Sequence, residues 1–363
     1  MGHTRTRAGY KPIYQIIKDD ILADIQSGRL KPHDPLESRH ELIKRYGCSW
    51  ATVHRAISEL ILEGVLYAQQ GRGTFAAPRA VETIRVLSLH PIPSWRHSLV
   101  EMMEGLREAS FDASIGLTVI NLPHHVPDGY DLDGHVVLTP AVGDEETLQE
   151  ARRRGARFIV LGSDYPSDPS LPCVTADTRA GSRVAVQRLI DAGHRRIGLV
   201  GVMDSFPNYR REIEGYEDAL RAAGIPVNPE YILTRSVDEP DFDTRISRWL
   251  DDRADVTAIF AADYATSIAF MRIARMRGIS IPADLSLICM DELPTAELLS
   301  VRPARVVQPF RELGRLAIER LVAAMRGAAP LEGTHMLPCA VLDGDSVSPP
   351  YAAAPSRRAA KSD

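Results

Sequence analysis

Residues 49–55, SWATVHR, gather an indole, an imidazole and a guanidinium beside small side chains within two turns. That mixture suits a DNA groove. Small groups permit close approach, Arg55 can pair with guanine or phosphate, and the Trp50 ring can meet a thymine methyl or a sugar. Plainer roles compete: Arg55 as a solvated charge, and His40 and His54 as boundary residues. Catalytic chemistry has no comparable support. There is no G-x-S-x-G, no Walker sequence, no G-x-G-x-x-G after a strand and no H-E-x-x-H. His124, His125 and His194 lack metal spacing, and Cys48, Cys173, Cys289 and Cys339 form no C-x-x-C pair. No catalytic residue, metal site or cofactor is expected, and a reducing cytoplasm suits such cysteines.

The elements that must hold this face are legible around it. Val53, Ala56, Ile57, Leu60 and Ile61 recur at helical spacing, with Ser49 as N-cap and Gly47 in the turn before it. Trp50 sits roughly 60° around that helix from Val53, so it either covers the flank of the core or faces DNA. Tyr14, Ile17, Ile21, Leu22 and Ile25 predict an earlier helix over 12–27, ended by Gly28. A second follows over 38–46, capped by Ser38 with Leu42 and Ile43 inward. Two helices across a short Gly turn are a helix-turn-helix pattern. Val65 and Tyr67, then GRG, then Thr74 and Phe75 read as two strands about a turn.

Charge is uneven along the 363 residues. Positions 1–79 hold 12 Lys/Arg against 8 Asp/Glu, and the remainder 31 against 40. A basic end on an acidic body fits nucleic acid at one end. At 44% hydrophobic and 25% charged, the composition is that of a globular protein of two or three domains. No apolar run reaches a membrane span, and the basic N-terminus has no signal-peptide core.

The stretch LESRHELIKRYGCSWATVHRAISELILEGVLYAQQGRGTFAA resembles the winged helix-turn-helix of GntR-type transcription factors, over residues 10–77. The resemblance implies double-stranded operator DNA as partner. It points to Ser38, Arg39, His40, Ser49, Trp50, Ala51, Thr52, His54, Arg55, Gln70, Arg72 and Gly73 as the DNA-facing set. Arg72 in the wing suits backbone attraction better than base readout. The order Ser38-Arg39-His40 departs from the usual Ser-Glu-Arg, and Trp50 and His54 stand where Arg is common. Fewer guanidiniums mean fewer bidentate contacts to guanine, so DNA binding carries over and the operator sequence does not.

After a polar linker, 78–83, short apolar runs alternate with helical patterns over 84–348, before a tail at 349–363. This predicts an α/β body of parallel sheets with helices on both faces, large enough for two lobes. VTADTRAGSRVAVQRLIDAGHRRIGLVG, REIEGYEDALRAAGI, TAIFAADYATSIAFMRIARMRGISIPADLSLICMDE and VVQPFRELGRLA resemble the effector domain of LacI/GalR-type repressors, itself like periplasmic binding proteins. A GntR-type head on such a body is known from arabinose-type repressors. Between LTVINL and HVVLTP only the twelve residues PHHVPDGYDLDG stand where that family has a full helix.

In open α/β sheets, ligands sit outside the carboxyl ends of strands, here the cleft between lobes. The resemblance places Ser94, Trp95, Arg96, Ser163, Asp164, Arg210, Glu212, Asp263, Asp291 and Phe310 there. Asp263 and Asp291 serve equally as helix N-caps, Phe310 as core and Trp95 as a buried ring. Glu212 occupies a position where the family often has Arg. Facing the cleft it would disfavour an acidic ligand; alternatively Arg210 takes the Arg role. The expected function is a ligand-responsive, homodimeric transcriptional regulator, a repressor whose effector is a sugar or related small polar molecule.

Overall fold

The computed structural model describes residues 12–31, 33–69, 72–77, 83–89, 97–122, 125–237, 239–291 and 300–350. The chain divides into two compact units, Met1–Thr83 with Ser114–Gly116 and Ile84–Ala113 with Leu117–Asp363.

The head is built from α1 (Ile13–Gln26), α2 (Arg39–Tyr46), α3 (Trp50–Leu62), β1 (Leu66–Gln69) and β2 (Gly73–Ala76). Ser38 and Glu41 form a reciprocal capping box on α2. Gly47 ends α2 at φ 57°, the left-handed conformation that glycine adopts freely. Ser49 Oγ then accepts the Thr52 N–H and starts α3. Ile17, Ile21, Leu42, Val53, Ile57 and Leu60 make the core. The Lys18 ammonium, almost buried, ties α1 to α3 through Glu63 (2.5 Å) and Glu59 (2.9 Å). Its hydrogen bond to Glu63 leads the causes that hold its pKa up. β1 and β2 pair antiparallel, from Leu66 opposite Ala76 to Gln69 opposite Gly73.

The body continues in chain order. β3 (Thr83–Ser88), α4 (His97–Asp112), β4 (Gly116–Asn121), β5 (His135–Leu138), α5 (Glu145–Arg153), β6 (Phe158–Leu161) and β7 (Cys173–Ala176) come first. Next are α6 (Thr178–Asp191), β8 (Ile197–Val202), α7 (Pro207–Ala222), β9 (Ile232–Thr234), α8 (Phe242–Asp252), β10 (Ala258–Ala261), α9 (Tyr264–Met276), β11 (Ser286–Met290) and β12 (Ala304–Val307). α10 (Phe310–Met325), β13 (Thr334–Leu337) and β14 (Ala340–Leu342) close it. Two six-stranded sheets result, ordered β13-β7-β6-β5-β3-β4 and β14-β12-β11-β10-β8-β9. The expected α/β class and parallel pairing hold, with β14 antiparallel to β12 at one edge. Every residue of β5, β6, β8 and β10 is buried, as helix-covered parallel strands require.

Three crossings join the lobes: at Asp177, at Gln308–Pro309 and at Pro338–Cys339. They lie together, the Asp177 N–H donating to Leu337 O at 2.9 Å. In the first lobe α10 packs on α4 so closely that a Cβ on Gly314 would lie 2.2 Å from Met102 O. A Cβ on Gly105 would lie 1.9 Å from Arg311 O. Among the described residues between β4 and β5 there is no helix. A loop replaces it, pinned by buried Val126 and Leu132 and by Asp144, which accepts the N–H groups of Val126 (3.0 Å) and Ala141 (2.8 Å). The sheet closes without that helix. β7, β12, β13 and β14 were not predicted as strands.

Candidate functional site

In the head, the first turns of α3 leave the core. Trp50 is 54% exposed, so it does not cover the core flank. Its indole stacks on the His54 imidazole, ring centroids 4.6 Å apart at 16°. Ala51 and His54 are exposed and Thr52 half-buried. Arg55 is exposed yet engaged. Its guanidinium lies 3.9 Å from the Tyr14 ring centroid, and Nε donates to Glu59 at 2.9 Å. These contacts use Nε and one face of the guanidinium, and the group stays at the exposed side of α3. The Ser38 and Ser49 hydroxyls are taken up by helix caps, and Ser49 also meets the Thr52 hydroxyl at 2.9 Å. Their first role is therefore to set the helices. Arg39 is half-buried with Nε unpartnered, and His40 is exposed. At the wing tip Arg72 and Gly73 are exposed, Gly73 at φ 123°; Gln70 lies outside the described residues.

In the body, a cleft of about 760 Å³, solvent at its mouth included, opens where the strands of both sheets end. This is within the size range of small-molecule sites. Thr139 and Gly162 reach it from the first lobe, after β5 and β6, with Met102 of α4 and Phe310 of α10. Met203, Val237, Ala262, Asp291 and Gln308 reach it from the second, after β8, β9, β10, β11 and β12. Asn208, Tyr209 and Glu212 come from the start of α7.

Of the expected cleft residues, Glu212, Asp291 and Phe310 meet here. Ser94, Trp95 and Arg96 lie outside the described residues. Four others do not line the cleft. Ser163 is buried, donating to Pro140 O at 3.3 Å. Asp164 is turned to Arg211, whose Nε lies 3.1 Å away. Arg210 points outward, its Nε donating to Asp204 O at 2.8 Å. Asp263 stands behind the wall. It accepts from Tyr209 (2.8 Å), from Arg235 (2.5 Å) and, as the cap of α9, from the Thr266 N–H (2.7 Å). Its carboxylate accepts the Tyr209 hydroxyl, which does line the cleft. Asn208, Tyr209 and Gln308 were missed, although their sequence placement, just after β8 and β12, is the one that marks cleft residues.

Glu212 is 1% exposed and its Oε2 has no hydrogen-bond partner. Burial, then the charges of Asp291 and Asp263, hold its carboxyl well above the usual carboxylate range. Asp291 adopts φ 75° and accepts the Gln308 amide at 2.7 Å. Among the described residues no three His, Cys, Asp or Glu cluster to hold a metal, and no helix is long and apolar enough to cross a membrane.

Comparison with known proteins agrees with both architectures. "Bacterial regulatory proteins, gntR family" matches residues 13–76, and "Periplasmic binding protein-like domain" matches 186–347. The chain is 25% identical over 336 residues to the arabinose metabolism transcriptional repressor of Geobacillus stearothermophilus, covering 86% of this chain and 90% of that one. It is 28% identical over 198 residues to catabolite control protein A of Priestia megaterium, covering 54% and 59%. A transcriptional regulator CelR–cellobiose complex superposes with TM-score 0.65 at 23% identity, over 82% of this chain and 90% of that one, which speaks to fold. The chain thus carries a gntR-family regulatory head on a periplasmic-binding-protein-like body and is homologous to the arabinose repressor and to LacI-family regulators.

Proposed function

We propose that this protein is a transcriptional repressor whose operator binding is set by a small polar effector in the interlobe cleft. The observation that carries the reading is the pairing, in one chain, of an unburied recognition-helix face with a cleft walled by two lobes. Trp50, Ala51, His54 and Arg55 supply the first, and the helix N-terminus with the wing suits phosphate. Met102, Phe310, Tyr209, Glu212 and Asp291 bound the second.

The mechanism is a population shift. An effector that touches both lobes favours their closed arrangement, and the change in lobe geometry alters the spacing of two heads in a homodimer. A twofold dimer implies a pseudo-palindromic operator. The relative named as an arabinose metabolism transcriptional repressor supports a cytoplasmic regulator of this kind and a sugar or sugar-like effector. The test is a gel shift of the full-length chain with fragments of its own genome. A specific fragment retained at modest salt is the expected result. Failure to retain any fragment over competitor DNA overturns the reading.

A further inference from the structure

Among the described residues that line the cleft, the only residues of a charged type are carboxylic acids, beside the neutral donors Ser98, Thr139, Asn208, Tyr209 and Gln308. Among the described residues that line it there is no Lys, Arg or His, while two carboxyl groups, Glu212 and Asp291, are present. Asp263 behind them is already matched by Arg235, Tyr209 and the Thr266 N–H. One Asp291 oxygen takes the Gln308 amide. Glu212 Oε2 takes nothing, though the side chain is buried and lines the cleft. An unpaired buried oxygen costs stability, and a bound group that supplies a donor recovers it. A hydroxyl offers one proton and no charge. An alkylammonium offers three donors and a positive charge against two acids.

We propose that the effector of this cleft carries a protonated amine, seated against Glu212 and Asp291, on a sugar-like body: an amino sugar. This rests on the effector-cleft reading above and narrows its ligand class. Carboxylate and phosphate ligands are disfavoured at the same place, since no described cation lines the wall to meet them. Binding also moves a proton. The groups facing Glu212 are Asp291, Asp263 with Arg235 and Tyr209, and the Cys339 thiol, itself held up mainly by burial and then by Asp291 and Glu212. In the free protein Glu212 keeps its proton; an ammonium against it favours the carboxylate, and the proton leaves to solvent.

The test is calorimetry and thermal shift on the full-length protein with glucosamine, galactosamine and mannosamine. Their parent hexoses and N-acetyl forms serve as matched neutral probes. At least one hexosamine is expected to bind ten-fold or more tighter than both neutral partners, with a heat that depends on buffer ionisation enthalpy. Glu212→Gln and, independently, Asp291→Asn are expected to erase that preference. A neutral probe that binds as tightly as its amine overturns the proposal, as does an unchanged preference in both variants, or no binding by any hexosamine. Retention of a genomic fragment by the same preparation separates these failures from failure of the regulator reading, which predicts DNA binding whatever the effector.

Discussion

The Trp50 indole lies flat on the His54 imidazole, one helical turn further along α3, with ring centroids 4.6 Å apart. The pair forms an exposed aromatic ledge at the start of α3, in place of the guanidinium groups that the resemblance to GntR-type heads implies. In the proposed reading, a ledge of this kind suits apolar contact with thymine methyls and sugar edges more than bidentate pairing with guanine. Trp50→Ala should therefore cost about 1–3 kcal/mol of operator affinity, the range of a specific base contact. Stability should change by less than about 0.5 kcal/mol, as at other exposed positions. Fluorescence anisotropy on a retained fragment and thermal unfolding measure the two. A large loss of stability with affinity intact would return Trp50 to the core.

Much of this head was legible because helical spacing and cap chemistry are local. Ser38, Gly47 and Ser49 mark the helix ends that the backbone adopts. The exposure of Trp50 was not legible, because an angular estimate of roughly 60° from Val53 falls between two faces and only the neighbouring elements decide. In the body the strand–helix alternation revealed the class, and the length of the region pointed to two lobes. β13 and β14 escaped because THML and AVL are short and largely exposed, each pairing at the edge of a sheet whose other strands come earlier in the chain. Asp263 stayed open between cap and cleft for a similar reason, and the structure shows the cap. Position after a strand says that a residue is near the cleft, whereas Arg235, which holds it back, is 28 residues away in sequence.

Gly314→Ala tests the packing that places Phe310. Its Cβ would meet Met102 O at 2.2 Å and Leu106 N at 2.9 Å, both backbone, so no rotamer change relieves the clash. α4 and α10 must separate, at a cost of about 1–3 kcal/mol for overpacking. The melting midpoint should fall by several degrees, with effector binding weakened because Met102 and Phe310 move with their helices. An unchanged midpoint would show that the two helices tolerate a wider spacing.

Glu212 gives the free protein a pH dependence of definite sign. Its folded pKa is raised by burial and by the charges of Asp291 and Asp263. As pH climbs through the ordinary carboxylate range, the unfolded chain releases this proton while the folded chain keeps it. Stability is full below that range and falls as pH rises, until the folded carboxyl ionises. Each tenfold by which the fold strengthens proton binding is worth about 1.4 kcal/mol. Glu212→Gln removes the effect. The variant should match wild type near pH 4 and melt higher at pH 7 to 8, on the order of the ranges just named. Equal midpoints at both ends would mean that the carboxyl is not held neutral.

Asp164 and Arg211 join the lobes. Asp164 follows β6 in the first lobe, Arg211 belongs to α7 in the second, and their side chains are 4% and 21% exposed. A second tie runs from the Val142 N–H to Ser205 O at 2.9 Å. Removing one partner of a largely buried pair leaves a charge uncompensated, at a cost of about 3–5 kcal/mol; opening the lobes re-solvates it at lower cost. Arg211→Ala should therefore shift the free protein toward an open cleft. X-ray scattering should report a larger radius of gyration. Effector affinity should drop by the population lost, since only the closed arrangement presents both walls. Asp164→Asn, which leaves no buried anion, should open the cleft less. If scattering and affinity are unchanged in Arg211→Ala, the lobes are held by the three crossings, the Val142–Ser205 hydrogen bond and packing, and the ion pair is not a latch.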